Sequence, residues 1–197
     1  MPDQEMDKSK RGFLVAATSV VGGVAPGVAA VPFVGSMWPS ERAKAGGAPV
    51  EADISKLAPG EMQIVEWRGQ PVWIIRRTKD MLESIEKNDE VVADPNSEVP
   101  KQPEYAKNEF RSIKPDIAVL VGVCSHLGCS PQLKPADSKA DMGMAWNGGF
   151  YCPCHGSKFD YAGRVYKGVP APVNLTVPPY KFVGDAKIII GDDSKGA

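Results

Sequence analysis

"VCSHLGCSP" (Val123–Pro131) and "FYCPCHGSKFD" (Phe150–Asp160) contain all four cysteines and both histidines of this 197-residue chain. The spacings inside them are Cys124-x-His126 and Cys152-x-x-His155, one thiol and one imidazole per box. Brought together, the boxes make a Cys2His2 donor set. Such a set fits tetrahedral zinc. It fits equally a two-iron two-sulfur cluster with two cysteines on one iron and two histidines on the other. Covalent c-type haem is excluded, because it needs C-x-x-C-H and Cys152-Pro153-Cys154-His155 is one residue short. The plant-type ferredoxin pattern C-x4-C-x2-C is excluded too, because the third cysteine is too distant.

Cys129 and Cys154 are then surplus. Cys152 and Cys154 flank a single proline, so both can hardly chelate one small cluster without strain. If Cys152 is a ligand, Cys154 is left over, and by the same logic so is Cys129. Two leftover thiols in loops that meet at one metal lie close together. On the exported side of a membrane they are expected to oxidise to a disulfide. Free thiols are the alternative, unusual in an exported domain.

Working outward, the length allows one globular domain and an appendage. A net charge of -1 carries no basic footprint, which argues against a nucleic-acid partner. The 20 Gly and 18 Pro favour short strands and many turns over a helical bundle. From Gly12 to Met37 no residue is charged. As a helix that run reaches roughly 39 Å, enough to cross a hydrocarbon core of about 30 Å, with Trp38 at the interface. The expectation is a retained single-span anchor at 12–38, preceded by a cytoplasmic segment 1–11. A signal peptide cut after Ala43-Lys44-Ala45 is the alternative, but the run exceeds a signal h-region. Residues 39–50, with Gly46-Gly47, read as a flexible hinge.

The head is expected over 51–197, with a metal-binding subdomain at about 122–173. "MQIVEW" (62–67) and "PVWIIRR" (71–77) read as a hairpin turning at Arg68-Gly69-Gln70. Residues 78–89 read as a helix, with Met81, Leu82 and Ile85 on one face. The Pro-rich, polar stretch 90–112 reads as a surface excursion, and "DIAVLVGV" (116–123) as a buried strand leading into the first box. "GGFYC", "GRVYK", "YKFVG" and "AKIII" add further strands. The fold class expected is mainly antiparallel β plus one N-terminal transmembrane helix.

With "CSHLGC", "CPCHGS" and "GVPAP" (168–172) all present, the chain resembles the Rieske iron-sulfur proteins of cytochrome bc complexes, over its whole length. The order Ser9-Lys10-Arg11-Gly12-Phe13-Leu14 also resembles the twin-arginine export signal S-R-R-x-F-L, with Lys10 in place of the first arginine. The resemblance implies one 2Fe-2S cluster, ligated by Cys124 and Cys152 on one iron and His126 and His155 on the other. It implies a Cys129–Cys154 disulfide and a proline loop around Pro170 and Pro172 that shields the cluster, here one residue longer at Val169. Ser157 would tune the cluster by hydrogen-bonding a sulfur, and Phe159 stands where many members carry a tyrosine donor.

A neutral imidazole donates less negative charge than a thiolate, so replacing two cysteines raises the potential into the quinol range. Each ligand histidine keeps a second ring nitrogen whose proton affinity follows the iron charge. The resemblance implies that His155, with His126, meets the quinol, and that Leu127 and Gly128 dock on cytochrome b. A swinging head would then pass the electron to cytochrome c1, on the periplasmic side of a dimeric complex in the lipid bilayer. The alternatives are a small Rieske subunit of another exported oxidoreductase, such as arsenite oxidase, and a structural zinc module.

Overall fold

The apolar run lies in one helix, α1 (Lys8–Ser36), in the computed structural model, which describes residues 8–143 and 145–192. The expected cytoplasmic segment 1–11 therefore falls outside the described residues at 1–7, and the end of the expected head does so at 193–197. By internal contacts the chain divides into two units, 1–45 and 46–197. At 1.5 Å per residue α1 is about 43 Å long, and it is apolar enough to cross a membrane. None of its residues is buried. Two of its hydroxyls are satisfied along their own helix: Thr18 donates to the Leu14 carbonyl (2.7 Å) and Ser36 to that of Phe33 (2.7 Å). Pro26 and Pro32 each remove one amide from the helical ladder.

The stretch read as a flexible hinge contains a six-residue helix, α2 (Glu41–Gly46), and ends in a strand at Val50. The local cause is visible in the sequence. Ser40 accepts a hydrogen bond from the Ala43 amide as an N-cap, and Glu41 opens the helix.

Among the described residues, nine strands form three antiparallel three-stranded sheets. In the first, β1 (Val50–Asp53) and β8 (Tyr180–Val183) flank β9 (Lys187–Ile190). In the second, β2 (Met62–Trp67) and β4 (Ile117–Val121) flank β3 (Gln70–Arg76). In the third, β5 (Gln132–Lys134) and β7 (Lys158–Phe159) flank β6 (Gly149–Tyr151). The mainly antiparallel β fold expected from the sequence is therefore present, with its one long apolar N-terminal helix. The β2–β3 hairpin turns on Arg68 (φ 53°) and Gly69 (φ 70°), the left-handed pair that a two-residue type I′ loop needs. All five residues of β4 are buried, as its unbroken apolar run requires. Trp73 of β3 stacks on Phe150 of β6 with ring centroids 4.8 Å apart, joining the second and third sheets.

Helix α3 (Lys79–Lys87) is capped by Thr78, whose hydroxyl accepts from the Met81 amide, and it buries Ile85. A short 3-10 turn (Glu104–Ala106) and a four-residue helix, α4 (Lys139–Met142), complete the regular elements described.

Two readings need correction. The stretch 90–112 is not a surface excursion, because Val92, Ser97, Ala106, Arg111 and Ser112 are all buried. Arg111 and Ser112 point inward, Arg111 to the Ala162 carbonyl and Ser112 to Arg77 and the Lys114 carbonyl. "GRVYK" forms no regular strand; its pairing is limited to the isolated bridges Phe159–Val165 and Val92–Tyr166.

Candidate metal centre

The two boxes are built as copies of one loop. Cys124 donates its amide to the Cys129 carbonyl (2.8 Å), and the Gly128 amide returns to the Cys124 carbonyl (3.0 Å). Cys152 donates to the Ser157 carbonyl (2.8 Å), and Gly156 to Cys152 (2.9 Å). Gly128 (φ 85°) and Gly156 (φ 78°) hold the same left-handed corner, which costs little only for glycine. The shared Cys-x3-Gly spacing was legible in the sequence and went unused. Histidine occupies the third position of the first loop and the fourth of the second.

Neighbouring elements fix where the loops meet. The first leaves β4 through Gly122, where an added Cβ would stand 2.2 Å from the Trp73 indole, so only glycine passes. The second is the turn between β6 and β7. Both ligand-candidate thiols end up buried and free, Cys124 at 3% and Cys152 at 2% exposure. Burial pushes the Cys124 thiol up, and the Cys152 thiol beside it adds to this. The His126 amide and the Ser157 hydroxyl, both hydrogen-bonding the Cys124 sulfur, pull it down.

His126 and His155 meet edge to face, ring centroids 4.8 Å apart. His126 Nδ1 is buried without a hydrogen-bond partner, while His155 is exposed. Thiols inside and imidazoles outside is the order the donor set requires. Leu127 (71% exposed) and Gly128 lie at the tip beside the imidazoles.

Cys129 and Cys154 are joined in a disulfide. The sulfurs of Cys129, Cys152 and Cys154 lie within 4.8 Å of one another. Two of the three are bonded together and offer no thiolate, so this trio is the staple beside a ligand candidate, not a second donor set.

The "GVPAP" segment is pinned to both boxes. Ser125 of the first donates to the Val173 carbonyl (2.6 Å), and Ser157 of the second accepts from the Ala171 amide (3.0 Å). Pro170 and Pro172 themselves are exposed. Phe159 is fully buried, cross-strand from Phe150.

Sequence reasoning missed the scaffold behind the second box, where three buried arginines converge on the turn 160–164. Arg164 bonds Asp160 (2.7 Å), Asp89 (2.7 Å) and the Ile85 carbonyl. Arg77 donates to the Phe110 and Tyr161 carbonyls, and Arg111 to that of Ala162. Desolvation pulls Arg77 and Arg111 down to about 10. For Arg164 desolvation acts the same way, but Asp160 and Asp89 outweigh it and raise the guanidinium. Alternating apolar periodicity carries no trace of such pairs, since most of these acceptors lie far off in sequence, Asp160 being the exception at four residues from Arg164.

Two buried free thiols, two imidazoles meeting at 4.8 Å and a buried Nδ1 with no hydrogen-bond partner fit a metal centre of this donor set. Comparisons with known proteins agree. Residues 49–181 match the family model described as "Rieske [2Fe-2S] domain", and residues 1–40 match "Ubiquitinol-cytochrome C reductase Fe-S subunit TAT signal". The chain is 55% identical to the ubiquinol-cytochrome c reductase iron-sulfur subunit of Allochromatium vinosum, covering 100% of this chain and 95% of that one. It is 43% identical to the Blastochloris viridis subunit of the same name, covering 94% of each. A chain of a hyperthermophilic respiratory complex III aligns with 28% identity and a TM-score of 0.45, over 89% of this chain and 98% of that one. The chain belongs to the Rieske [2Fe-2S] family, among the ubiquinol–cytochrome c reductase iron-sulfur subunits.

Proposed function

We propose that this chain is the one-electron carrier of a respiratory bc complex, taking electrons from quinol and passing them to cytochrome c1. Cys124 and Cys152 would hold one iron and His126 and His155 the other; the meeting imidazoles and the two buried free thiols carry this reading. When bound, a [2Fe-2S] cluster supplies the one-electron acceptor, and its charge sets the proton affinity of the ligand imidazoles.

The chain's own residues do the rest. His155, exposed at the tip, accepts a hydrogen bond from the quinol hydroxyl at its free ring nitrogen and takes that proton as the electron leaves the quinol. His126, half-buried beside it, orients the pair. Leu127 and Gly128 present the apolar contact to cytochrome b, and the segment carrying Pro170 and Pro172 excludes water from the sulfurs. Ser157 and Phe159 set the potential, the first by its hydrogen bond to Cys124 and the second by offering none.

α1 crosses the inner membrane as the single anchor of 12–38, the head (51–197) lies in the periplasm after twin-arginine export, and residues 39–50 let it move within a dimeric complex. The subdomain 122–173 is the part that docks.

The test is reduction by the natural donor. In membranes, ubiquinol should reduce the centre, and its electron should appear in cytochrome c1. A centre reduced by dithionite but untouched by quinol would sink this reading in favour of another exported Rieske oxidoreductase.

A further inference from the structure

The cover over the boxes has an anchor of its own. Along Val169–Val173 burial alternates: Val169 half-buried, Pro170 exposed, Ala171 buried, Pro172 exposed, Val173 half-buried. Neither proline has an amide to donate. The attachments therefore fall on the alternate residues, and two are hydrogen bonds: Ala171 amide to Ser157, and Ser125 to the Val173 carbonyl.

Upstream, the last backbone tie is the Lys167 amide to the Val91 carbonyl (2.8 Å). Between Lys167 and Ala171 stand Gly168, which has no side chain and turns at φ 70°, and the exposed Pro170. Val169 is the one side chain in that gap able to hold the cover by packing.

It sits in a seam. One wall is the main core. The other is a satellite cluster of Val92, Trp146 and Tyr166, in which the Trp146 and Tyr166 rings are 5.7 Å apart. The satellite is fixed from outside: Trp146 Nε1 donates to the Pro135 carbonyl (2.9 Å), and Lys158 donates to the Met142 carbonyl. The excursion between β5 and β6 thus reaches the cover through Trp146 and Val169.

We propose that Val169 is a positioning residue of the quinol-oxidising site. Seated against Trp146 and Tyr166, it holds the cover closed on Ser157 and keeps water from the Cys124 and Cys152 sulfurs. This rests on the proposed function in taking those sulfurs as ligands of a quinol-oxidising cluster.

The test is residue-level amide exchange on the full chain in detergent, with iron loss to a chelator as a second readout. Val169→Ala should speed exchange of the Ala171 amide at least tenfold and iron loss at least threefold, with Ile74 of β3 unchanged within twofold. Val169→Ile should restore both. Trp146→Phe, which shrinks the other wall, should move Ala171 in the same direction by a smaller factor. Should the alanine variant fail to fold, Val169→Thr keeps the side chain's shape and sets a hydroxyl in the seam, with the same expectation. Ala171 exchange within twofold of the parent overturns the proposal, and so does an equal acceleration at Ile74, which would mark general loosening. Exchange is read with or without iron, so a parent chain lacking the cluster signal counts against the proposed function, and an unmoved Ala171 counts against this inference alone.

Discussion

Removing the staple between the boxes, with Cys129→Ser and Cys154→Ser together, should cost stability and leave the loop shapes intact. The bond closes a stretch 25 residues long. For a loop of that length the chain-entropy relation gives about 3.5 kcal/mol at 25 °C. Each box keeps its own closure without the bond, Cys124 to Cys129 and Cys152 to Ser157 through the backbone. The loss therefore falls on the unfolded state, which gains freedom. The assay is urea unfolding of the full chain in detergent, followed by the fluorescence of Trp67, Trp73 and Trp146, all buried in the head. With a urea dependence of about 1–3 kcal/mol per molar, the midpoint should fall by about 1.2–3.5 M, the slope staying near that of the parent. The folded double variant should still take up iron, but lose it faster. A midpoint shift below about 0.3 M would refute the entropic reasoning. A variant that folds equally well yet never binds iron would show that the staple shapes the site itself.

Ser157→Ala removes the hydroxyl that bonds the Cys124 sulfur and accepts the buried Ala171 amide. If that bond favours the reduced centre by about 1.4 kcal/mol, the midpoint potential falls by about 59 mV, read by redox titration. Phe159→Tyr should shift it the other way by a comparable amount, and no rise would contradict the role given to that position. Gly46-Gly47→Pro-Pro should slow quinol–cytochrome c turnover while leaving the spectrum of the centre unchanged; unaltered turnover would argue against a swinging head. Arg164→Met strands the buried Asp160 carboxylate and should destabilise the head by about 3–5 kcal/mol in the same urea assay. A loss under about 1 kcal/mol would show that Asp160 finds other donors.

The parts legible in the sequence share a cause. Cysteine and histidine are rare and chemically committed, so two boxes at fixed spacing announce a donor set, and the surplus thiols announce the bond the structure contains. The hairpin of β2 and β3, the buried β4 and the closing pair β8 and β9 were legible because their apolar runs are bounded by turn residues. β5 and β7 were not, being three and two residues long. The stretch 90–112 was misread because its composition is polar. Arg111 is fully buried with an acceptor, the Ala162 carbonyl, 51 residues away, and the equally buried Arg164 reaches the Ile85 carbonyl of α3, 79 residues away, beyond any local pattern. The equivalence of Gly128 and Gly156 was within reach, since both boxes write Cys-x3-Gly.

The central claim is that Cys124, Cys152, His126 and His155 hold one two-iron cluster. Electron paramagnetic resonance of the dithionite-reduced chain, with nitrogen couplings resolved, tests it most directly. The account predicts a coloured protein that becomes paramagnetic on reduction, with two nitrogen ligands on one iron, reduced to one when His126 is replaced. A colourless, silent protein carrying zinc would contradict it, as would a cluster with cysteine ligands alone.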